Sequence, residues 1–191
     1  MAERESDAQG GGTLPLAGIR FLDLTNVLAA RFCAYQLAIV GAEVIKIERQ
    51  AGGDLARRLG ADAELCQVGM GASFLAQNAG KRSLTLDLKN PAGRGVFHRL
   101  VAGAHVLVEN FRPGVMARLG LAHDDLKQTC PGLVYCSISG FGQDGPLSTQ
   151  PAYDQIIQGM SGLMSVTGDE ASAPLRVGTP ICDTIGGLTA A

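Results

Sequence analysis

Between Ile19 and Ile138 the sequence repeats one device: a short apolar run of strand length, a helical or turn-rich stretch, then another short apolar run. Ile19–Leu24 is compact and apolar, Ala29–Val40 reads as a helix closed by Gly41, and Glu43–Glu48 alternates as a second strand, which makes a βαβ unit. Lys81–Leu88 sets Leu84, Leu86 and Leu88 on one face. Asn90 and Pro91 then supply an N-cap and an N1 proline for a helix running to about Ala102. His105–Glu109 and Leu133–Ile138 read as further strands, separated by short helices over Pro113–Leu119 and Asp124–Thr129 and by the turn signal Pro131-Gly132. Ala51–Asn78 is Gly-rich and weakly periodic, a long excursion with one short helix near Leu55–Leu59. Tyr153–Val166 reads as one helix whose Ile156, Ile157, Met160, Leu163 and Met164 recur at core spacing. This alternation predicts an α/β chain with a Rossmann-like, doubly wound parallel sheet over residues 14–191, behind a disordered tail at 1–13.

Composition narrows the function classes. A chain of 191 residues with 46% hydrophobic and 18% charged content can bury one sizeable core. A net charge of -2 gives no footprint for nucleic acid, and 5% aromatics without Trp give no stacking platform. Met1–Gly12 lacks the apolar core of a signal peptide, and Val27–Val40, interrupted by Arg31 and Gln36, is too short to span a bilayer, so no membrane association is expected. Five cysteines without a C-x-x-C pair fit a reducing compartment, and a cytoplasmic location is expected. Cys182 reads as a structural thiol, the three histidines (His98, His105, His123) as structural, and no metal site is expected.

Ligands of open parallel sheets bind beyond the carboxyl ends of the strands, which selects Asn26, Arg49 and Asn110 as crevice residues. The turn after the first strand, Thr25–Ala30, contains no glycine to admit a pyrophosphate, so a nicotinamide dinucleotide is disfavoured. Glu48 would suit a ribose and Arg49 a phosphate, while Lys46 and Arg49 together also read as a plain solvated strand end. Gly140–Pro146 is a loop without the Lys-Ser/Thr of a phosphate cradle. Asp183 follows a Pro-containing extended run and precedes Thr-Ile-Gly-Gly. A carboxylate there can cap a helix or serve as a nucleophile, and residue type leaves both open.

Five motifs, in order, carry a resemblance. Leu16–Leu24, Gly41–Glu48, Asn78–Leu88 (Asn-x-Gly-Lys-Arg-Ser-Leu-x-Leu-Asp-Leu), Val108–Gly114 and Ser139–Gln143 together resemble the class III coenzyme A transferases of the CaiB/BaiF type, over about Leu14–Ala191. Members are substantially longer, so the resemblance is to their N-terminal part and implies a large domain truncated at its C-terminus. It places the catalytic aspartate on Asp183, which would form an acyl-aspartyl anhydride and then an aspartyl-CoA thioester. It implies CoA contacts at Asn26, Val27, Arg49, Leu86, Lys89, Asn110, Phe111 and Arg118. CoA is then a co-substrate rather than a resident cofactor, the partners are an acyl-CoA and a small carboxylic acid, and the full-length form is an interlocked homodimer.

An Asp of ordinary pKa ~3.9 would be ionised near neutral pH without an activating base. The sequence departs from the family at Ala30-Arg31, where many relatives have Gly-Pro, and at Pro151, where formyl-CoA transferase has Lys. The racemase branch carries Gly-His-Asp where this chain has Ala152-Tyr153-Asp154, which favours transfer over epimerisation. An epimerase and an inactive CoA-binding fragment remain the alternatives, and ending at Gly187–Ala191 would leave apolar surface open, with self-association and weakened CoA binding.

Overall fold

The computed structural model describes residues 13–191; most of the expected tail lies outside the described residues. Five parallel strands form one sheet: β1 (Arg20–Leu24), β2 (Glu43–Glu48), β3 (Arg82–Thr85), β4 (Val106–Glu109) and β5 (Val134–Ser137), in the order β3-β2-β1-β4-β5. The order reverses between β1 and β4, with Leu22 paired to Leu107 and Leu24 to Glu109. That is the switch point at which open α/β sheets bind ligands.

Position in the sheet explains the character of each strand. Central β1 is covered on both faces and is buried from Phe21 to Leu24, whereas the edge strands β3 and β5 contain no buried residue. Strand alternation divides the core. Leu22, Leu24, Ile47 and Leu107 pack on one face with Phe97, Val101, Met116, Leu121 and Leu126, while Phe21, Val44 and Val108 pack on the other with Ala30, Cys33 and Ala34. The first face is covered by α4 (Pro91–Val101), α5 (Val115–Arg118) and α6 (His123–Lys127), and the second by α1 (Ala29–Ile39). The Asn90 side chain accepts from the Ala92 N–H at 2.9 Å with Pro91 in the first helical position, as the sequence predicts. Gly41 at φ 106 lets the chain leave α1 for β2 where a side chain would meet Leu14.

The excursion after β2 is more structured than expected. It holds a 3-10 turn at Leu55–Arg58, α2 (Ala63–Gln67) and α3 (Ala72–Leu75), the first two capped by Asp54 and Asp62 side chains. The helix expected over Tyr153–Val166 is instead α7 (Asp154–Met160) and a separate 3-10 turn at Leu163–Val166, divided where Gly162 adopts φ 83. Its burial is also inverted. Asp154 and Gln158 are the buried residues of α7, and Ile156 and Met160 lie exposed at 45% and 60%. The last helix, α8 (Ile181–Thr189), packs against α1, where Gly187 lies against the Ala29 carbonyl and the Phe32 side chain.

Candidate active site

At the switch point two asparagines join the ends of β1 and β4. The Asn26 N–H donates to Asn110 Oδ1 at 2.8 Å, and Asn110 Nδ2 donates to the Asn26 carbonyl at 2.8 Å. Asn26 faces a cavity of about 360 Å³ on the α4 face of the sheet, within the range of small-molecule sites. Leu24, Ile47, Leu86, Leu88, Phe111, Val115 and Leu119 give it apolar walls, and Arg49, Lys89 and Arg118 stand at it exposed, with no carboxylate partner among the described residues. Asn26, Arg49, Leu86, Lys89, Phe111 and Arg118 are thus brought together around one cavity. The other two expected contacts, Val27 and Asn110, are absent from its lining; their backbone and side-chain bonds shape the turn beside it.

Beneath the same strand ends, on the α1 face, lies a charged network. Lys46 is fully buried, against its reading as a solvated strand end: its Nζ donates to the Thr25 carbonyl at 2.7 Å and lies 3.0 Å from Asp54 Oδ2 and 3.7 Å from Asp23 Oδ1. The Thr25 carbonyl, Asp23 and Asp54 enclose its ammonium on that face of the sheet. Lys81 Nζ reaches Asp23 Oδ2 at 2.8 Å and the Arg31 carbonyl at 3.0 Å. Arg31, buried inside α1, donates to Gln77 at 3.1 Å and sits 3.5 Å from Asp54. Burial pushes the Asp23 carboxyl up, but Lys46, Lys81 and the Thr25 hydroxyl outweigh it and hold the group below the usual range. Glu48 is similarly committed. Burial raises it, and bidentate pairing with Arg57 at 2.7 Å, with the Asp54 N–H and the Ser83 hydroxyl, brings it down to about 2. With its acceptors occupied, Glu48 is unsuited to hold a ribose.

Asp183 stands in the third position of α8, so it is not the helix cap. That office falls to Asp154 of α7, whose Oδ1 accepts from the N–H groups of Cys182 at 2.8 Å and Asp183 at 3.2 Å. Gln158 holds Asp154 in turn: its Nε2 donates to Asp154 Oδ2 at 2.5 Å and to the Thr179 carbonyl at 3.3 Å, while its Oε1 accepts from the Val177 N–H at 2.8 Å. The buried pair at i and i+4 therefore fixes both the entry and the first turn of α8. Apolar spacing does not mark the buried face of α7; the signal for the pair in the sequence is two polar residues one turn apart in an apolar segment.

The Asp183 carboxylate itself accepts no hydrogen bond from the described residues, and it is half-buried. Burial and the neighbouring Asp154 charge push its pKa up to about 6, away from the ordinary value expected of it. It still carries its charge at pH 7, weakly solvated and unpaired, as a nucleophilic carboxylate requires. Burial, Asp154 and Asp183 raise the Cys182 thiol, which fits its structural reading. Tyr153 is 62% exposed beside the buried Asp154. His105 Nδ1 accepts from the Arg20 N–H at 3.0 Å, and His123 meets Tyr135 edge to face at 5.9 Å, consistent with structural roles. Among the described residues there is no cluster of potential metal ligands and no helix long and apolar enough to cross a membrane.

The sequence profile described as CoA-transferase family III matches residues 16–191. The chain is 43% identical over 180 residues to a succinate–glutarate CoA-transferase of Agrobacterium fabrum and 45% identical over 176 residues to an acetyl-CoA:oxalate CoA-transferase of Acetobacter aceti. Each alignment covers 91% of this chain and 44% of the relative, so the chain spans less than half the length of these proteins. A crystal structure of a CaiB/BaiF family protein from Brucella suis superposes with a TM-score of 0.87 at 39% identity, over 94% of this chain and 47% of that one.

Proposed function

Since the chain belongs to CoA-transferase family III, we propose that it serves to move CoA from an acyl-CoA thioester to a free carboxylic acid, with Asp183 as the covalent acceptor. The observation that carries this reading is the pairing of two features: an apolar cavity at the strand ends bearing three cations, and a half-buried carboxylate at the start of α8, none of them with an ionic or donor partner among the described residues. The cavity suits the nucleotide end of CoA. Arg49, Lys89 and Arg118 match its phosphates, and Leu86 and Phe111 offer apolar faces to the adenine or the pantetheine arm.

In the proposed reaction an Asp183 oxygen attacks the thioester carbonyl and the C–S bond breaks, giving a mixed anhydride and CoA thiolate. A thiol of pKa ~8.5 leaves readily. The thiolate attacks the aspartyl carbonyl, releases the donor acid and leaves an aspartyl-CoA thioester. The acceptor carboxylate attacks that thioester and regenerates thiolate, which takes the new acyl group and frees Asp183. No proton need be removed from the nucleophile at any step, which fits an ionised carboxylate without a base beside it. The relatives' names include succinate, glutarate and oxalate, so a small dicarboxylic acid is the acceptor class we propose. Transfer is preferred to epimerisation because Asp154 is committed to capping and the residue before it is an exposed tyrosine rather than a histidine.

We place this chemistry in the cytoplasm, in an assembly of two interlocked chains. The exposed apolar residues of α7 and α8, Ile156, Met160, Ile185 and Leu188, support a covering partner. The deciding experiment incubates the protein with an acyl-CoA and hydroxylamine and maps the product by mass spectrometry. A hydroxamate at Asp183 is expected; CoA exchange with no modification at Asp183, or at wild-type rate in Asp183→Ala, would sink the assignment.

A further inference from the structure

Val27 is the only non-glycine among the described residues with a positive φ, at 65°. For a β-branched residue this conformation is costly and persists only where surrounding structure imposes it. What imposes it can be read from the bonds of the turn. The Thr25 carbonyl accepts from Lys46, the Thr25 N–H and hydroxyl donate to Asp23, and the Asn26 N–H and carbonyl are clasped by the Asn110 side chain. The strained residue itself is held by Asp54, whose Oδ1 accepts from the Val27 N–H at 3.2 Å and from the Ala56 N–H at 2.9 Å. The other oxygen, Oδ2, faces Lys46 at 3.0 Å and Arg31 at 3.5 Å. One buried carboxylate thus ties the excursion after β2 to the turn after β1.

That turn joins the two halves of the site. Asn26 lines the cavity, Val27 is bonded into the charged network, and the following residue but one, Ala29, has its carbonyl packed against Gly187 of α8. We infer that Asp54 is a positioning residue for the CoA site: by holding Val27 in the left-handed conformation it aims Asn26 at the cavity and sets where α1 begins. This rests on the CoA reading above. Asp54 is not itself in the cavity lining, so its effect on a ligand passes through the turn.

Asp54→Asn is the informative lesion because it preserves shape. Lys46 and Arg31 both require an oxygen on one side, and two N–H groups require one on the other; an amide has a single oxygen, and the buried cations will take it. The Val27 N–H then faces an NH₂ group. CoA affinity, read by calorimetry, should fall about tenfold, and adding Val27→Gly should restore most of that loss, since glycine occupies φ 65° without a restraint. A merely structural Asp54 predicts the opposite, with the two lesions adding. If Asp54→Asn does not fold, Val27→Pro breaks the same turn while leaving the carboxylate and its cations intact, and the same loss of affinity is expected.

Hydrogen exchange at residues 25–28 separates the two readings. Protection there that falls in Asp54→Asn supports the positioning role even if the wild-type protein binds no CoA, an outcome that would overturn only the CoA reading. Unchanged protection and unchanged affinity in Asp54→Asn, or no recovery on adding Val27→Gly, would overturn the inference.

Discussion

The ground beneath the strand ends and the helix pair that carries Asp183 are built on opposite plans. Under β1 and β2, Asp23, Lys46, Lys81, Arg31, Asp54, Glu48 and Arg57 saturate one another, and each loop there is held from several sides. Buried pairs of this kind contribute little net stability relative to an apolar core, but breaking one partner is costly, so the network enforces geometry. The α7–α8 pair has one comparable device, the Asp154–Gln158 clasp, and leaves Ile156, Met160, Ile185 and Leu188 in the open. Rigidity is invested where a ligand would bind, and the proposed nucleophile is left poorly solvated and singly supported.

The sharpest way to break this contrast is Asp183→Ala. Transfer should fall by roughly a thousandfold or more, as for loss of a covalent nucleophile, while CoA affinity stays within a few fold. A parallel collapse of affinity would show that the two regions are not separable. Next comes Asp154→Ala, which uncaps α8 and leaves Gln158 half-partnered. We expect a loss of about 1–2 kcal/mol in stability, measured by denaturant unfolding, and a kcat reduced more than CoA affinity.

On the sheet side the effects fall on ligand affinity. Removing Arg49, Lys89 or Arg118 singly should cost about 1.5–3 kcal/mol in CoA affinity for a well-formed phosphate pair and far less for an incidental surface charge. Calorimetry with CoA and its 3'-dephospho analogue assigns the contact, and equal affinities for both would exclude a 3'-phosphate role.

The smallest and most local difference is in pH response, and its sign differs between the regions. Asp183 is raised to about 6, so its contribution to stability is present below the ordinary carboxylate range and is lost as pH rises through 6. Glu48 is lowered to about 2, so its contribution is present above pH ~4.5 and is lost as pH falls through 2. Asp183→Asn should therefore stabilise the protein at pH 8, on the order of 1 kcal/mol given the partial solvent screening, and give no gain at pH 3. Thermal unfolding across pH checks this, and the acid limb of the transfer rate should fall near 6 rather than near 4.

The sheet was legible in the sequence because its strands are short apolar runs separated by helices and turn residues, and the crevice followed from topology alone. Asn26 and Arg49 could be selected without knowing their contacts. The charged floor was not legible: Lys46 occupies an alternating position in Glu43–Glu48 that reads equally as solvent-facing, and the placement of Asp54 from the excursion and of Asp23 and Lys81 around it makes it interior. The same limit hid Asp154. Periodicity reports which residues share a helix face, but which face is buried depends on the neighbour, and here the neighbour is an uncapped helix end rather than an apolar surface. The raised pKa of Asp183 likewise comes from burial and from a carboxylate 29 residues away in sequence.

Gly187 gives this arrangement a mechanical property. Where α8 meets α1, Gly187 brings its main chain against the Ala29 carbonyl, with the Phe32 side chain packed beside the contact. Packing this close leaves no room for independent movement, so a sideways slip of α8 should shift the first turn of α1, and with it the turn after β1. Asp183 and the turn after β1 should thus drift together, keeping their spacing through thermal motion that moves both.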